Sequence, residues 1–486
     1  MVYSSSLFLL YFLPAFLIIY YLLARQYKNW FLLLISILFY AWGAPKFVFF
    51  LAGSVIIDYF LVRRLTLKDD SHRKWIFWLS VLLNLGLLVY FKYMNFFVDQ
   101  FNVILGWFGS KPAGWTKIAL PVGISFITFQ KLAYTLEVYK RRHPGFERFW
   151  DYALYIFMFP QLLSGPIVRP GQISGQILNR QEQENIDSKL IGFYRFIIGL
   201  SKKVLIADVL GATVNEIFAL DLKQVSTGLA WIGAVAYTFQ IYFDFSGYSD
   251  MAIGLARMIG FKLPENFNSP YVSRNITEFW RRWHITLSFW FRDYIFLPLA
   301  YSTSRKMPKE RYGGMRADVA IYLIATTVTF LLCGFWHGAA WTFIIWGIYQ
   351  GLFLILDRLF LLKLLKKLGK IPSILITFFV IVIGWVIFQA DTLTSAYAYL
   401  GKMFSFRGGA ENELWLNPKF WTMLVIAILF SFWGGFKKID QWIEKLYSLP
   451  GNRVIITMSL LAVILFILSE ATITSSGFNP FIYFRF

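Results

Sequence analysis

Apolar runs long enough to cross a hydrocarbon core of about 30 Å recur along the whole chain, and the loops between them are short and rich in Lys and Arg. Such loops belong on the cytoplasmic side of a membrane, and that rule threads the chain. Residues 7–24 cross inward to "ARQYKN". Segments 29–42 and 45–62 form an outward hairpin around "WGAPK" and return to "RRLTLKDDSHRK". Residues 75–91 go out, and 117–138 come back to "KRRHPGFER". The stretch "YIFMFPQLLSGPIVRP" is apolar but broken by Pro160, Gly165, Pro166 and Pro170. It reads as a re-entrant segment, whose backbone must be satisfied by protein or water.

Two crossings follow, near 190–210 and 228–246, before the cation-rich stretch 257–317, which carries Arg281, Arg282, Arg305, Lys306 and Arg311 and belongs inside. Residues 318–336 and 338–357 make a hairpin returning to "KLLKKLGK". Segments 371–390, 419–435 and 454–470 complete the walk, with "FKKIDQWIEK" inside before the last. The prediction is an all-α polytopic membrane protein of about twelve transmembrane helices, with both termini outside and with re-entrant or amphipathic segments between spans.

Composition agrees. Of 486 residues, 58% are hydrophobic and 15% charged, whereas soluble domains are about half apolar and a quarter charged. Length alone would allow about three soluble domains. No polar stretch is long enough to be one, so residues 1–486 are taken as a single membrane domain. Lys and Arg number 47 against 27 Asp and Glu, for a net charge of +20. Because the cations sit in short loops, they point to topology and anionic lipid headgroups, not to nucleic acid. One cysteine, Cys333, excludes an internal disulfide and a Cys-based metal cluster. The N-terminal apolar run lacks a basic n-region and a cleavage site, and reads as a retained first span.

Ionisable groups inside spans are expensive and are functional candidates by default. The chain has four histidines, and His337 lies in "GFWHGAAW", between apolar runs. Small residues around it let neighbouring backbone or a ligand approach. Trp336 and Trp341 flank it, and apolar surroundings disfavour imidazolium, keeping the base form for an attacking hydroxyl. The competing reading is a core histidine satisfied by a carbonyl. His284 lies in "EFWRRWHITLSFWFRDY", where a continuous helix would put Trp280, His284 and Ser288 on one face and Arg281 and Arg292 on another. A cationic face there suits the phosphates of a nucleotide-like thioester, though membrane-flanking arginines look the same. His72 and His143 fall in polar loops. "FDFSGYSDMAIG" embeds Asp244 and Asp250 beside Tyr248, so both carboxylates need donors or cations, as a structural network or as a channel lining. There is no phosphate loop, no metal-ligand spacing and no nucleophile elbow. From the residues alone, a base-catalysing enzyme and a transporter or lipid scramblase both remain open.

Six motifs then carry a resemblance. "LPVGISFITFQ" (120–130), "QLLSGPIVRP" (161–170), "FDFSGYSDMAIG" (243–254), "NFNSPY" (266–271), "EFWRRWHITLSFWFRDY" and "GFWHGAAW" occur in one order. Together they resemble the membrane-bound O-acyltransferase superfamily, in its alginate and peptidoglycan O-acetyltransferase branch. The resemblance covers about residues 120–350 and implies a ring of helices around a central tunnel. A thioester donor would enter from the cytoplasm and a hydroxyl acceptor from the other face. It implies His337 as the catalytic base and His284, with Trp283 and Arg282, in donor positioning or a supporting catalytic role, with Arg281 and Trp336 among the substrate-binding residues. Tyr248 and Asp250 would line or brace the tunnel.

The last residues, "FIYFRF", resemble a C-terminal motif in which a tyrosine is proposed to carry the acyl group, here Tyr483. The implied activity is transfer of acetyl from cytoplasmic acetyl-CoA, with no bound cofactor or metal, to an exported polysaccharide. A separate extracytoplasmic transferase of the SGNH type is implied as partner. The implied location is the inner membrane of a bacterial cell. D-alanyl transfer to teichoic acid from a carrier protein is the alternative within the same superfamily.

Overall fold

The structure, a computed structural model, describes residues 2–66, 72–162, 165–406, 416–448, 451–476 and 481. Helix dominates. Among the described residues the strands are two-residue segments, Arg311–Tyr312 paired antiparallel with Met315–Arg316. Among the described residues six helices are long and apolar enough to cross a membrane: Arg73–Trp107, Ala317–His337, Trp341–Leu368, Lys370–Gln389, Pro418–Gly435 and Asn452–Ser475. Leu7–Leu22 is apolar but shorter. The predicted crossing at 117–138 is a helix only from Ile124 to Tyr139. Gly123 sits at φ 78° in the left-handed region, outside helical geometry, so the helix begins after it.

The chain divides into two compact units, Met1–Phe196 with Ser249–Pro264, and Ile197–Tyr248 with Glu265–Phe486. In the first, the helices Phe47–Thr66, Arg73–Leu88, Ile124–Tyr139 and Phe149–Phe157 surround one buried carboxylate. Asp58 Oδ1 accepts from Ser80 Oγ at 2.7 Å and Asn84 Nδ2 at 2.8 Å, and Oδ2 from the Tyr152 hydroxyl at 2.5 Å. The described residues of the proline-broken stretch after Phe157 are mostly buried, and both backbone groups of Phe159 are paired with side chains. The Phe159 amide donates to Ser36 Oγ at 3.1 Å, and its carbonyl accepts from the Tyr3 hydroxyl. Asp250 receives Arg195 Nη2 at 2.8 Å and Nε at 3.1 Å.

In the second unit Lys370–Gln389 is the central helix. More than half of its apolar window is buried, 56%, against 17–33% for the other spans. It presents Trp385 and Phe388 inward. Asp244 is met by Lys203 Nζ at 2.8 Å, and that lysine also reaches Asp208 at 2.6 Å. Both motif carboxylates have therefore found cations, as burial of charge demands.

Candidate active site

His337 is the last residue of the helix Ala317–His337, and the chain turns through Gly338–Ala340 into Trp341–Leu356. Two glycines set how closely these helices pack. A Cβ on Gly334 would come within 2.3 Å of the Phe343 carbonyl oxygen, and one on Gly347 within 2.3 Å of the Phe330 oxygen. No side chain fits at either crossing point, which is why small residues cluster here. The hairpin delivers the His337 ring, 5% exposed, into an aromatic box. Trp336, Trp346 and Phe388 lie 4.9, 5.0 and 5.4 Å away between centroids, all edge to face.

His284 does not sit within a helix, which corrects the continuous-helix expectation. The helix Ile276–Arg282 stops, Trp283 is extended, His284 adopts φ 43°, ψ 55°, and a new helix runs Ile285–Phe291. The cause lies upstream. The Ile285 amide donates to the Asn266 carbonyl and the Asn268 amide to the Arg282 carbonyl, both at 2.9 Å. These bonds take groups that a continuous helix would have paired internally. A left-handed L-residue costs roughly 1–2 kcal/mol, so this pairing must offset it. Such outliers concentrate at functional sites.

Asn266 also fixes the imidazole. Its Oδ1 lies 2.9 Å from Thr286 Oγ1 and 3.3 Å from the Thr286 amide nitrogen. A backbone N–H only donates, so the atom facing it is the carbonyl oxygen and not the amide nitrogen. His284 Nδ1, 3.0 Å from that same oxygen, must then carry the hydrogen. The lone pair is left on Nε2. Complete burial pushes this imidazole down to about 3, because a charged ring would lose its hydration. His284 is a neutral acceptor through Nε2 across the physiological range.

Trp336 stands beside both histidines, 4.9 Å from His337 and 6.3 Å from His284. Trp283, 1% exposed, lies against Trp385 at 4.9 Å and stacks on Phe279 at 5.6 Å. The arginines are less convergent than predicted. Arg282 is held by Glu278 at 2.9 Å and donates to the Asn268 carbonyl at 3.1 Å. Arg281 is exposed, and Arg292 pairs with Asp293. With the helix broken at Trp283, Arg281 and Arg292 do not share a helical face. Tyr248 is buried and stacks on Phe481 at 4.5 Å, while Phe245 touches both His284, at 4.6 Å, and Phe481, at 5.8 Å. Asp250 belongs to the other unit, braced by Arg195. Tyr483 lies outside the described residues.

Several supports escaped the sequence reading. Asp357 accepts from the Thr277 amide at 2.8 Å and its hydroxyl at 2.9 Å, holding the start of the helix that ends before His284. Gln350 Oε1 accepts from Trp280 Nε1 at 3.3 Å. Asn266 was inside a recognised motif, but nothing local assigned it a partner. Asp357, a lone carboxylate at the end of an apolar run, was the one readable signal.

The family model for MBOAT, the membrane-bound O-acyltransferase family, matches residues 133–394. A Pseudomonas aeruginosa protein named probable alginate O-acetylase AlgI is 42% identical over 417 residues, 85% of this chain and 77% of that protein. The peptidoglycan O-acetyltransferase of Helicobacter pylori is 36% identical over 474 residues, 89% and 86%. A teichoic acid D-alanyltransferase of Bacillus subtilis matches less, 32% over 285 residues, 55% and 68%. The chain belongs to the membrane-bound O-acyltransferase family, as an O-acyltransferase and a multi-pass membrane protein.

Proposed function

We propose that this O-acyltransferase moves acetyl from cytoplasmic acetyl-CoA across a bacterial inner membrane for O-acetylation of an exported polysaccharide such as alginate or peptidoglycan. The observation that carries the reading is that the rings of His337 and His284 both lie beside Trp336, at 4.9 and 6.3 Å between centroids. The imidazole of His337 takes the proton of a hydroxyl, and the hydroxyl oxygen attacks the thioester carbonyl. The carbon–sulfur bond breaks, and the thiol leaves with that proton. His284, an acceptor through Nε2, steadies the hydroxyl-bearing partner, with Trp283, Arg282 and Arg281 on the donor side. The whole chain acts as one domain of about twelve spans, a ring of helices around a tunnel.

Tyr483 supplies the first acceptor hydroxyl, and a separate SGNH-type transferase completes delivery to the polymer. Anchoring of Phe481 beside Tyr248 and Phe245 supports this role for the tail. D-alanyl transfer is the weaker reading, because the D-alanyltransferase likeness covers little more than half of the chain.

The test is incubation of folded protein in membrane vesicles with radiolabelled acetyl-CoA. Label on protein or glycan is expected for the native chain, and its loss in His337→Ala at unchanged expression and melting temperature. Full labelling by His337→Ala would end the assignment.

A further inference from the structure

The first unit holds a cavity of about 440 Å³, and the acetyl-transfer reading makes no use of it. Its rim is made by Phe49, Phe50, Ile57 and Leu83, which are 77, 62, 53 and 41% exposed. An entrance of exposed apolar side chains suits an apolar chain arriving from the bilayer. Its floor is polar. Lys131, only 3% exposed, lines it together with Ser54 and Asp58.

An ammonium carries three N–H groups. Among the described residues those of Lys131 go to Ser54 alone, to its carbonyl and its hydroxyl, both at 3.2 Å. The nearby carboxylate is otherwise engaged, since both Asp58 oxygens already accept from Ser80, Asn84 and Tyr152. Asp58 offsets part of the Lys131 charge, but the direct hydrogen bonds of this buried ammonium reach neutral acceptors, which leaves room for an anionic one. On the same helix, a Cβ built on Gly53 meets nothing within 4 Å, so the opening continues past that glycine. The volume sits within the range of about 300–1,000 Å³ typical of small-ligand sites. That size suits one acyl chain better than the two of a phospholipid.

We propose that this cavity binds a single-chain amphiphile with a carboxylate head, of the fatty-acid class, its head on the Lys131 ammonium and its chain along Phe49, Phe50 and Leu83. The site takes this ligand independently of the transfer reaction, and the two assignments stand or fall apart.

The experiment is photolabelling of the full-length protein in neutral detergent with a diazirine-bearing palmitic acid, followed by peptide mass spectrometry. Label is expected within residues 49–57 and 83–87, competed by palmitate. Gly53→Leu fills the opening and replaces glycine by a better helix former, so it folds, and it should cut labelling at least tenfold. Lys131→Met should cut labelling by the acid to the same degree while leaving labelling by the matching alcohol unchanged. Equal labelling of the native chain by acid and alcohol, undiminished labelling of Gly53→Leu, or competition by phosphatidylglycerol but not palmitate would each overturn the proposal. Should Lys131→Met fail to fold, the Gly53→Leu and acid-against-alcohol comparisons still decide it.

Discussion

Replacing Asn266 by Ala removes the oxygen that Thr286 Oγ1, the Thr286 amide and His284 Nδ1 all face, at 2.9, 3.3 and 3.0 Å. The Asn266 carbonyl keeps its bond from Ile285, so the local backbone pairing survives. The loss is confined to the side chain. Each buried donor left without an acceptor costs about 1–3 kcal/mol. The Thr286 hydroxyl can rotate elsewhere, which leaves the amide and the imidazole, or roughly 2–6 kcal/mol in stability. For activity, loss of the partner that orients a metal-bound imidazole costs about 10–100-fold, and a similar loss is expected for this ring, equivalent to roughly 1.4–2.7 kcal/mol of transition-state stabilisation.

Two readouts separate orientation from mere packing. With four histidines in the chain, histidine labelled with ¹⁵N is resolvable, and His284 should show the neutral form protonated on Nδ1 at pH 7. In Asn266→Ala that signature should collapse toward a mixture of tautomers, with acetyl transfer falling 10–100-fold at saturating acetyl-CoA. Asn266→Asp restores an acceptor, keeps Nδ1 protonated and should recover part of the rate. A native His284 protonated on Nε2, or Asn266→Ala with full turnover, refutes the tautomer argument.

Acid stability tests the same ring in another way. His284 titrates near 6.5 when unfolded and is pushed down to about 3 when folded, so between those values the unfolded chain binds the extra proton. Its stabilising share is therefore complete above pH 6.5 and shrinks as pH falls toward 3, by about 1.4 kcal/mol per unit. His284→Gln should flatten the fall of the melting temperature between pH 6.5 and 4.5, and an unchanged slope counts against neutral burial. Gly334→Ala drives a methyl into the Phe343 carbonyl. Overpacking of this kind costs about 1–3 kcal/mol, so a lower melting temperature and weaker activity are expected, and a neutral result would contradict the close crossing. Lys203→Met removes the cation shared by Asp244, whose side chain is 3% exposed, and Asp208, at about 3–5 kcal/mol. Adding Asp244→Leu should recover much of that in a double-mutant melt, and simple additivity would argue against the pair.

What the sequence made legible follows from constraints that act locally. Hydrocarbon thickness fixes the length of an apolar run, so the helices near 317–337, 341–356 and 370–389 were readable to within a few residues. Buried carboxylates must find cations, so partners for Asp244 and Asp250 were expected, although Lys203 and Arg195 could not be named in advance. The glycines around His337 pointed to a close backbone approach, and Gly334 and Gly347 make it. The break at His284 was hidden because its determinant is distant. "EFWRRWHITLSFWFRDY" holds no Gly or Pro to stop a helix, and it is pairing with Asn266 and Asn268 that breaks it. The cationic face drawn through Arg281 and Arg292 vanished with the helix it assumed.

One helix ties the two histidines together. Trp346, Gln350 and Asp357 are spaced by four and seven residues in the return arm of the hairpin, which at 3.6 residues per turn puts them within about 40° on a single face. Trp346 packs on His337, Gln350 accepts from Trp280, and Asp357 holds the first turn of the segment that ends at Arg282. Gly347, beside that face, presses the same helix against the arm that carries His337. Turning or sliding this helix would therefore displace both imidazoles at once. Gln350→Leu touches neither ring, yet it strands the Trp280 indole two turns from Asp357. A loss of turnover there, with His337 and its aromatic box intact, would follow only if the spacing of the two histidines is what the hairpin exists to fix.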